Sequence, residues 1–101
     1  MTTTPDLAAL AGKLSQAQRR IVDESVAQSE SDTPFLSFKH IAETSGVAAD
    51  EVGPAVRDLA ALGVMRFERG LMTDEGRPYG SGYCLTDGLG LALRNHLKDA
   101  R

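Results

Sequence analysis

The sequence contains no tryptophan, only three phenylalanines and two tyrosines, and a single cysteine. One cysteine, Cys84, excludes an internal disulfide and a metal cluster of the Cys/His type. With so few rings, a hydrophobic core has to be built from Leu, Val, Ile and Ala, and 101 residues suit one small domain. No apolar run is long enough to cross a bilayer and no export leader is present, so we expect a cytoplasmic location and no membrane partner.

Motifs for catalysis are missing as well. The sequence has no Gly-rich phosphate loop, no metal-ligand spacing and no nucleophile next to a base. We therefore expect no enzyme activity, no catalytic residue, no bound metal and no cofactor. Basic charge is also scarce, since the formal net charge is −3. Affinity for DNA comes mainly from basic groups that displace counterions, so the total charge argues against DNA and its distribution has to decide.

What the sequence does contain is a pair of predicted helices between Ser37 and Met65. The first helix has apolar residues at helical spacing, namely Phe38, Ile41 and Ala42. Gly46 stands where a left-handed C-cap residue is needed, and Val47 follows as an apolar corner residue. The second helix repeats apolar residues at Val52, Val56 and Leu59 and ends at Gly63. Two helices joined by a tight glycine turn predict a helix-turn-helix.

Pro54 is unusual because it falls six places into the second helix. A proline there removes one backbone hydrogen bond and clashes with the carbonyl four residues earlier, at a cost of about 3 kcal/mol. The simplest prediction is that residues 48–52 form a separate turn and that the helix proper starts at Gly53 and Pro54, with proline at its favoured first position. The predicted helix is then short and offers few contacts to a ligand.

The segment before this pair predicts two further helices. Thr4 is a candidate N-cap, with Pro5 at the first helical position, for a short helix that runs to about Lys13. Ser15 and Gln18 form a start signal of the capping-box kind for the next helix. Its apolar stripe is predicted to contain Leu14, Ala17, Ile21, Val22 and Val26. The polar run 29–34 predicts a loop, and residues 35–36 predict a brief strand.

The segment after the pair predicts a hairpin and a last helix. Residues 64–71 alternate apolar and charged side chains, as a half-buried strand does, and residues 83–86 are its predicted partner. Residues 73–82 contain several glycines and a proline and are predicted to form an irregular tip. Asp87 is the candidate cap of a last helix in which leucine recurs every four residues, at Leu89, Leu93 and Leu97.

The residues of the helix pair and hairpin resemble the pattern of winged-helix repressors, especially the MarR-like group. Matching residue types are Gly46, Val47, Val52, Ala55, Val56, Arg57, Leu59, Gly63, Val64 and Met65. Residues 83–87 resemble the strand that closes the wing and the Leu-Thr start of the last helix, with the usual glycine displaced to Gly88 or Gly90. The resemblance covers roughly residues 15–97, and its apolar and glycine positions specify a fold better than a ligand.

This resemblance implies an α+β, mostly helical fold, with a three-helix core, a helix-turn-helix and a β-hairpin wing. It implies one domain over residues 1–101, with a core of about 15–86 and terminal helices, 5–13 and 87–98, that pack across a two-fold axis in a homodimer. The predicted dimer residues are Leu7, Leu10, Leu89, Leu93 and Leu97. The implied function is a DNA-binding transcriptional regulator with double-stranded DNA as its partner.

Candidate DNA-binding residues lie on the helix pair and the wing: Ser37, Lys39, His40, Arg57, Arg66, Arg69, Arg77 and Tyr79. Arg57 is the only good reader of bases on the second helix, since arginine donates two parallel hydrogen bonds to guanine. Alternatively, Arg57 pairs with Asp58, Glu51 or Glu43 on a solvated face. Segment 37–63 has two basic against four acidic residues, which favours a second hypothesis, a winged helix that binds another protein instead of DNA.

Overall fold

The structure, a computed structural model, describes residues 6–31, 34–72 and 78–99. Five helices and a two-stranded antiparallel hairpin follow one another along the chain, with a 3₁₀ turn at Gln28–Glu30. They are α1 (Leu7–Lys13), α2 (Gln16–Glu24), α3 (Phe38–Ser45), α4 (Ala49–Ala61), β1 (Met65–Met72), β2 (Pro78–Leu85) and α5 (Leu89–Asp99). This arrangement confirms the predicted winged helix, in which α2, α3 and α4 form the tri-helical unit and β1 and β2 the wing.

The core is aliphatic, as the shortage of rings predicts. Helices α2, α3, α4 and α5 meet the start of the hairpin in one cluster of side chains that are 0–1% exposed. Its largest members are Ile21, Val22, Ile41, Val52, Val56, Leu59, Val64, Leu85 and Leu93. Because these residues come from every helix except α1, the core holds the helix-turn-helix against both the hairpin and the last helix.

The first two helices follow each other closely, with Leu14 and Ser15 between them, and differ in part from the prediction. Asp6, and not Thr4, caps α1, because its carboxylate accepts a hydrogen bond from the amide of Ala9 at 3.1 Å; residues 1–5 lie outside the described part of the chain. The capping box of α2 is confirmed by reciprocal hydrogen bonds of 2.9 and 3.1 Å between Ser15 and Gln18. Leu14 is the buried C-cap of α1, and Val26 lies beyond the end of α2, so neither belongs to the predicted stripe.

The turn between α3 and α4 has the predicted geometry. Gly46 ends α3 in the left-handed region, with φ of 74°, and its amide donates to the carbonyl of Ala42. A side chain at that φ would be strained, so glycine is the residue that the turn requires. Val47 is 6% exposed and fills the corner. The helix-turn-helix prediction is therefore confirmed by both the backbone and the packing.

Pro54 does not divide α4, which corrects the prediction of a separate turn at residues 48–52. Helix α4 is continuous from Ala49 to Ala61 with Pro54 inside it. Two features reduce the cost of this proline. Gly53 precedes it, and a residue without Cβ avoids much of the clash that disfavours helical backbone before proline. Asp50 and Pro54 are both exposed, so water can hydrate the Asp50 carbonyl that proline leaves without a donor.

The hairpin extends further than predicted, and its second strand also pairs with one residue of the segment before α3. Residues 78–82, predicted to be irregular, belong to β2, whereas residues 73–77 of the predicted tip lie outside the described residues. Where the sequence predicts a brief strand over residues 35–36, Leu36 forms a single isolated bridge with Tyr83, through backbone hydrogen bonds of 2.9 and 2.8 Å. Gly82 permits this pairing, because a Cβ there would lie 2.8 Å from the Leu36 amide nitrogen.

The start of α5 is held by Thr86, which corrects the prediction that Asp87 is the cap. The Thr86 hydroxyl accepts from the amide of Gly90 at 2.7 Å and donates to the carbonyl of Gly63 at 2.8 Å. Asp87 instead accepts from the amide of Ser29 at 3.0 Å. A Cβ at Gly90 would lie 2.1 Å from the Val64 carbonyl oxygen. A Cβ at Gly88 would have no atom of the described residues within 4 Å, apart from its chain neighbours. Gly90 is therefore the glycine that the close packing of α5 requires.

The polar run after α2 is anchored by an ion pair that the sequence analysis missed. The Glu30 carboxylate accepts two hydrogen bonds, of 2.5 and 2.6 Å, from the Arg94 guanidinium on α5. Arg94 is 9% exposed and also donates to the carbonyl of Ser25 at 3.2 Å. The hydrogen bonds from Arg94, followed by that from the Ala27 amide, lower the pKa of Glu30 to about 2. Glu30 thus fixes the start of the predicted loop to the last helix.

The terminal helices pack against each other within one chain, which removes the argument for a dimer from the leucine stripe. Leu93 is 0% and Leu97 is 9% exposed, so both belong to the chain's own core and not to a surface for a second subunit. Leu7, Leu10 and Leu89 are partly buried against the same core. The contact between α1 and α5 covers apolar surface that the prediction assigned to a partner. We therefore expect Leu93→Asp to unfold the chain instead of yielding folded monomers.

A first prediction concerns this core position. Leu93→Ala should lower the free energy of unfolding by about 2–5 kcal/mol, because it removes buried methyl groups and leaves a cavity. Leu62, which is 42% exposed, is the matched control, and Leu62→Ala should change stability by less than about 0.5 kcal/mol. Urea denaturation followed by circular dichroism measures both. Equal midpoints for the two variants would contradict the burial of Leu93.

A second prediction tests the accommodation of Pro54. Gly53→Ala should lower the free energy of unfolding by about 1 kcal/mol, because the new Cβ clashes with the proline ring in helical backbone. The Cβ has room otherwise, since its nearest neighbour is a Phe38 ring carbon at 3.7 Å. In a Pro54→Ala background the same change should raise stability by about 0.5–1 kcal/mol, as for an ordinary helical glycine. The same sign in both backgrounds would refute this explanation.

A third prediction follows from the pKa of Glu30. Because the folded-state pKa, about 2, lies below the ordinary value of 4.5, the pair stabilises the fold above about pH 4.5 and loses this effect as the pH falls towards 2. Glu30→Gln should therefore cost about 1–2 kcal/mol at pH 7, and the difference from wild type should shrink as the solution is acidified to pH 2. Urea titrations across this range measure it. Glu24→Gln on the exposed end of α2 is the control, and a pH-independent difference for Glu30→Gln would be the contrary result.

Candidate nucleic-acid interface

The exposed surface of α4 carries one side chain with hydrogen-bond donors, Arg57. Its other exposed residues are Ala49, Asp50, Glu51, Pro54, Asp58 and Ala61. In the helix-turn-helix architecture this second helix is the one that enters the major groove, with side chains that reach base edges. The structure thus leaves Arg57 as the base-reading candidate of α4, as the sequence analysis predicts.

Arg57 stacks on an aromatic ring instead of pairing with an acid. Its guanidinium carbon lies 5.9 Å from the centroid of the Phe38 ring, at the start of α3. Within the described part of the chain it forms no ion pair with Glu43, Glu51 or Asp58, the partners considered as an alternative. A guanidinium held over a ring face keeps its in-plane hydrogen-bond donors available. Arg57 is consequently positioned but not neutralised.

Phe38 is the first ring of a continuous stack that we call the aromatic ladder, formed by Arg57, Phe38, Tyr83, Phe67 and Arg69. The Phe38 and Tyr83 rings are nearly parallel, with centroids 5.5 Å apart and an interplanar angle of 13°. Tyr83 meets Phe67 at 4.9 Å and 45°, and the Arg69 guanidinium carbon lies 5.6 Å from the Phe67 centroid. The ladder therefore runs from α4 to the wing and has a guanidinium at each end.

A shallow groove of about 280 Å³ lies beside the ladder. The start of α3, the middle of α4 and both strands line it, through Ser37, Phe38, Arg57, Phe67, Ser81, Gly82 and Tyr83. Phe67 is 40% exposed and supplies its apolar rim. The groove brings together two predicted site residues, Ser37 and Arg57, and the ladder adds a third, Arg69. It lies where a ligand that touches both α4 and the wing would have to pass.

Ser37, Lys39 and His40 occupy the exposed start of α3. The Ser37 hydroxyl caps the helix by accepting from the amide of His40 at 3.2 Å, and it also lies 3.3 Å from the His40 ring nitrogen Nδ1. Lys39 is exposed between them. A helix N-terminus with a basic side chain favours an anion such as a phosphate, which is the contact that positions a protein on DNA.

Arg66 lies away from the groove and the aromatic ladder. Neighbouring residues of a strand point to opposite faces, and Phe67, the next residue, faces the groove. The Arg66 guanidinium stacks over Phe35 at 5.3 Å, donates to the Gln28 side chain at 3.0 Å and pairs with Glu68 at 3.2 Å. These contacts join the loop after α2 to the wing. The structure therefore gives Arg66 an intramolecular role that the sequence analysis did not foresee.

The remaining candidates differ in what can be said of them. Arg77 lies outside the described residues, and Tyr79 belongs to β2 but its side chain is not described. Cys84 is 0% exposed, and burial raises the pKa of its thiol. Among the described residues, no cluster of three or more His, Cys, Asp or Glu could hold a metal, and no described helix is long and apolar enough to span a membrane.

The sequence analysis missed the rings of the ladder as site residues. Phe38 and Phe67 were assigned to apolar faces, and Tyr83 to the closing strand. The sequence contains one signal: the three aromatic residues of the ladder fall in α3, β1 and β2, the elements before and after the helix that carries Arg57. Tertiary structure was needed to place them in one stack, since Phe38 and Tyr83 are far apart in sequence and meet through the pairing of Leu36 with Tyr83.

A second, larger groove of about 840 Å³ lies on another side of α4, beside the corner between α1 and α2. Asp50, Glu51 and Asp58 of α4 line it opposite Lys13 and Arg20. The two long sides of α4 thus differ in chemistry. One side carries the carboxylates and the proline, whereas the other turns Arg57 towards the rings of α3 and the hairpin.

Comparison with solved structures identifies the fold. The chain is similar to a mutant of MepR from S. aureus, with a TM-score of 0.65, 13% sequence identity and 94% of this chain covered. It is also similar to BpsR from Bordetella bronchiseptica, whose DNA binding is regulated by 6-hydroxynicotinic acid, with a TM-score of 0.62, 18% identity and 96% covered. A MarR-family transcriptional regulator from Silicibacter pomeroyi matches with a TM-score of 0.60, 22% identity and 93% covered.

These likenesses show that the chain has the MarR-like winged-helix fold that the sequence resemblance implies. The chain spans 64%, 62% and 55% of the lengths of those three proteins. No family model matches the sequence, and no curated protein matches it either. The fold is therefore established by shape, whereas the function has to be argued from the surface.

Proposed function

We propose that this protein is a cytoplasmic DNA-binding transcriptional regulator of the winged-helix type, without enzymatic activity, that acts as a homodimer. The observation that carries the proposal is Arg57, an exposed arginine on the helix that follows the Gly46 turn, which forms no ion pair with any residue that the structure describes. Stacking on Phe38 holds it beside the wing, where Arg69 supplies a second exposed guanidinium. Solved proteins of the same fold are transcriptional regulators, which supports this class of function.

In the proposed complex, α4 enters the major groove and Arg57 donates two parallel hydrogen bonds to O6 and N7 of a guanine. Ser37, Lys39 and His40 approach a phosphate at the start of α3, and Arg69 approaches the backbone or the minor groove beside the wing. Asp50 and Glu51 disfavour phosphate, so α4 has to enter the groove with its Arg57 side foremost. Specificity would come from few contacts, because the described face of α4 offers one donor side chain.

This small number of base contacts is the reason for proposing two copies on one site. A two-fold dimer doubles the contacts and imposes a spacing between half-sites that a single domain cannot impose. The leucine stripe of α5 does not support the dimer, because Leu93 and Leu97 are buried in the chain's own core. The argument for a dimer therefore rests on the geometry of DNA binding. Sedimentation of the protein with and without duplex measures the number of subunits directly.

A second candidate function is a winged helix that binds a protein. The larger groove favours it, because Asp50, Glu51 and Asp58 line its α4 side and are exposed. A basic polypeptide segment would complement these carboxylates, whereas a phosphate backbone would be repelled by them. This function uses the opposite side of α4 from the groove at Arg57, so the two candidates predict different sensitive residues.

A fourth prediction separates these candidates. At low salt the wild-type protein should be retained on immobilised random duplex, and retention should fall as salt rises, because phosphate contacts release counterions. With a duplex selected by the wild type from a random library, Arg57→Ala should weaken binding by about 1–3 kcal/mol. Elution in a salt gradient measures the retention, and fluorescence anisotropy titrations measure the change in affinity.

The matched control is Arg20→Ala, which removes the same charge from the exposed surface of α2 beside the larger groove. It should leave the affinity for the selected duplex within about 0.5 kcal/mol of wild type. Passage of the wild type through the random-duplex column at low salt would exclude DNA as the ligand and favour the protein-binding function. Equal losses for Arg57→Ala and Arg20→Ala would show that Arg57 supplies only charge and reads no base.

A further inference from the structure

We infer that Tyr83 and Phe38 are positioning residues for DNA binding, which hold the guanidinium groups of Arg57 and Arg69 in one rigid unit through the aromatic ladder. This inference rests on the proposed function and goes beyond it, because it assigns a role to side chains that need not touch DNA themselves. Its consequence is that α4 and the wing engage a duplex together. The affinity contributed by one arginine then depends on the presence of the other.

The contacts of the ladder form an unbroken path between the two arginines. Successive distances are 5.9 Å from Arg57 to Phe38, 5.5 Å to Tyr83, 4.9 Å to Phe67 and 5.6 Å to Arg69. All four lie within the range in which cation–π and aromatic pairs attract each other. No other set of side chains in the described residues joins α4 to the wing by consecutive ring contacts.

The rings in the middle of the ladder are committed to one another. Phe38 contacts Arg57 and Tyr83, and Tyr83 contacts Phe38 and Phe67. Proteins that stack nucleic-acid bases offer free ring faces for them, which these two rings do not. The geometry therefore favours a supporting role for Phe38 and Tyr83 and leaves binding to the guanidinium groups at the ends.

The backbone fixes the middle of the ladder independently of the side chains. Tyr83 exchanges two hydrogen bonds with Leu36, which stands two residues before Phe38. Gly82 permits this close approach, because a Cβ there would meet the Leu36 backbone at 2.8 Å. The strand that carries Tyr83 is consequently in register with the start of α3 before any ring contact is considered. A rigid base of this kind lets a ring contact determine where an arginine side chain lies.

The physical benefit is preorganisation. Arginine loses rotamer freedom when DNA immobilises it, and this loss opposes binding. A guanidinium that already rests on a ring has lost part of that freedom in the free protein. When two such groups share one stack, a duplex that orders one end of the stack also favours the bound position of the other end. The expected signature is coupling between Arg57 and Arg69, which additive contacts would not show.

The test is a double-mutant cycle on the selected duplex. Arg57→Ala, Arg69→Ala and the double variant are compared in the wild type, in Tyr83→Phe and in Tyr83→Leu, with dissociation constants measured at one salt concentration. In the wild type and in Tyr83→Phe, which keeps the ring, we expect the two losses to be non-additive by about fivefold or more. In Tyr83→Leu the two losses should be additive in free energy, so that the non-additivity falls below about twofold in the dissociation constant.

Thermal and urea denaturation of each variant guard against a trivial loss of fold. If Tyr83→Leu does not fold, Phe67→Leu replaces it, because Phe67 is 40% exposed and also breaks the path to Arg69. A structural role alone would weaken all variants in parallel and leave the coupling unchanged. The same coupling in Tyr83→Leu as in the wild type, or additive losses in the wild type, would overturn the inference.

Failure of the proposed function is distinguishable from failure of this inference. Wild-type protein that binds no duplex at low salt would remove the proposed function and the inference with it. Wild-type protein that binds, with Arg57→Ala and Arg69→Ala each weakening the complex additively, would keep the proposed function and remove the inference alone. Coupling that is present with Tyr83→Phe and lost with Tyr83→Leu supports both.

Discussion

The pairing of Leu36 with Tyr83 is the contact on which the arrangement of this surface depends. Two backbone hydrogen bonds and a glycine at position 82 place the strand that closes the wing directly beside the start of the helix-turn-helix. Other contacts join the hairpin to the segment around Gln28, such as the hydrogen bond from Arg66 to Gln28 and that from the Leu85 amide to the Val26 carbonyl, but they do not reach the start of α3. With the pairing of Leu36 and Tyr83, the rings of Phe38 and Tyr83 stack, and the Arg57 side of α4 faces the wing across a defined groove.

Total charge and surface chemistry lead to different conclusions for this chain. A net charge of −3 argues against a nucleic-acid ligand, yet the acids and bases of α4 lie on different sides of the helix. Two acids also have partners within the fold, since Glu30 pairs with Arg94 and Asp87 accepts from Ser29. These contacts hold residues 29 and 30 against α5 and the residues just before it. What a partner meets at the groove is therefore decided by a few exposed arginines and not by the sum over the chain.

Local sequence signals predicted the elements whose causes are local. The Gly46 turn, the Ser15 capping box and the first strand of the hairpin were all predicted, because backbone conformation, capping and side-chain alternation are decided within a few residues. The predictions that failed concern neighbours that are distant in sequence or tolerances that a rule does not express. Pro54 is accommodated by Gly53, Asp87 is drawn to Ser29 while Thr86 holds α5, and the α5 leucines are covered by the chain's own core.

The amino-acid sequence by itself determined the helix-turn-helix, the aliphatic core and Arg57 as the candidate reader, because periodicity, glycine turns and residue chemistry are properties of short segments. The winged-helix arrangement as a whole was implied by the resemblance to the MarR-like group. Tertiary structure alone decided which arginines share a surface. Arg57 and Arg69 lie at the two ends of one stack, whereas Arg66 is turned to the opposite face and held by Gln28, Phe35 and Glu68. The physical reason is that such contacts arise from strand pairing and helix packing between distant segments, which no local pattern encodes.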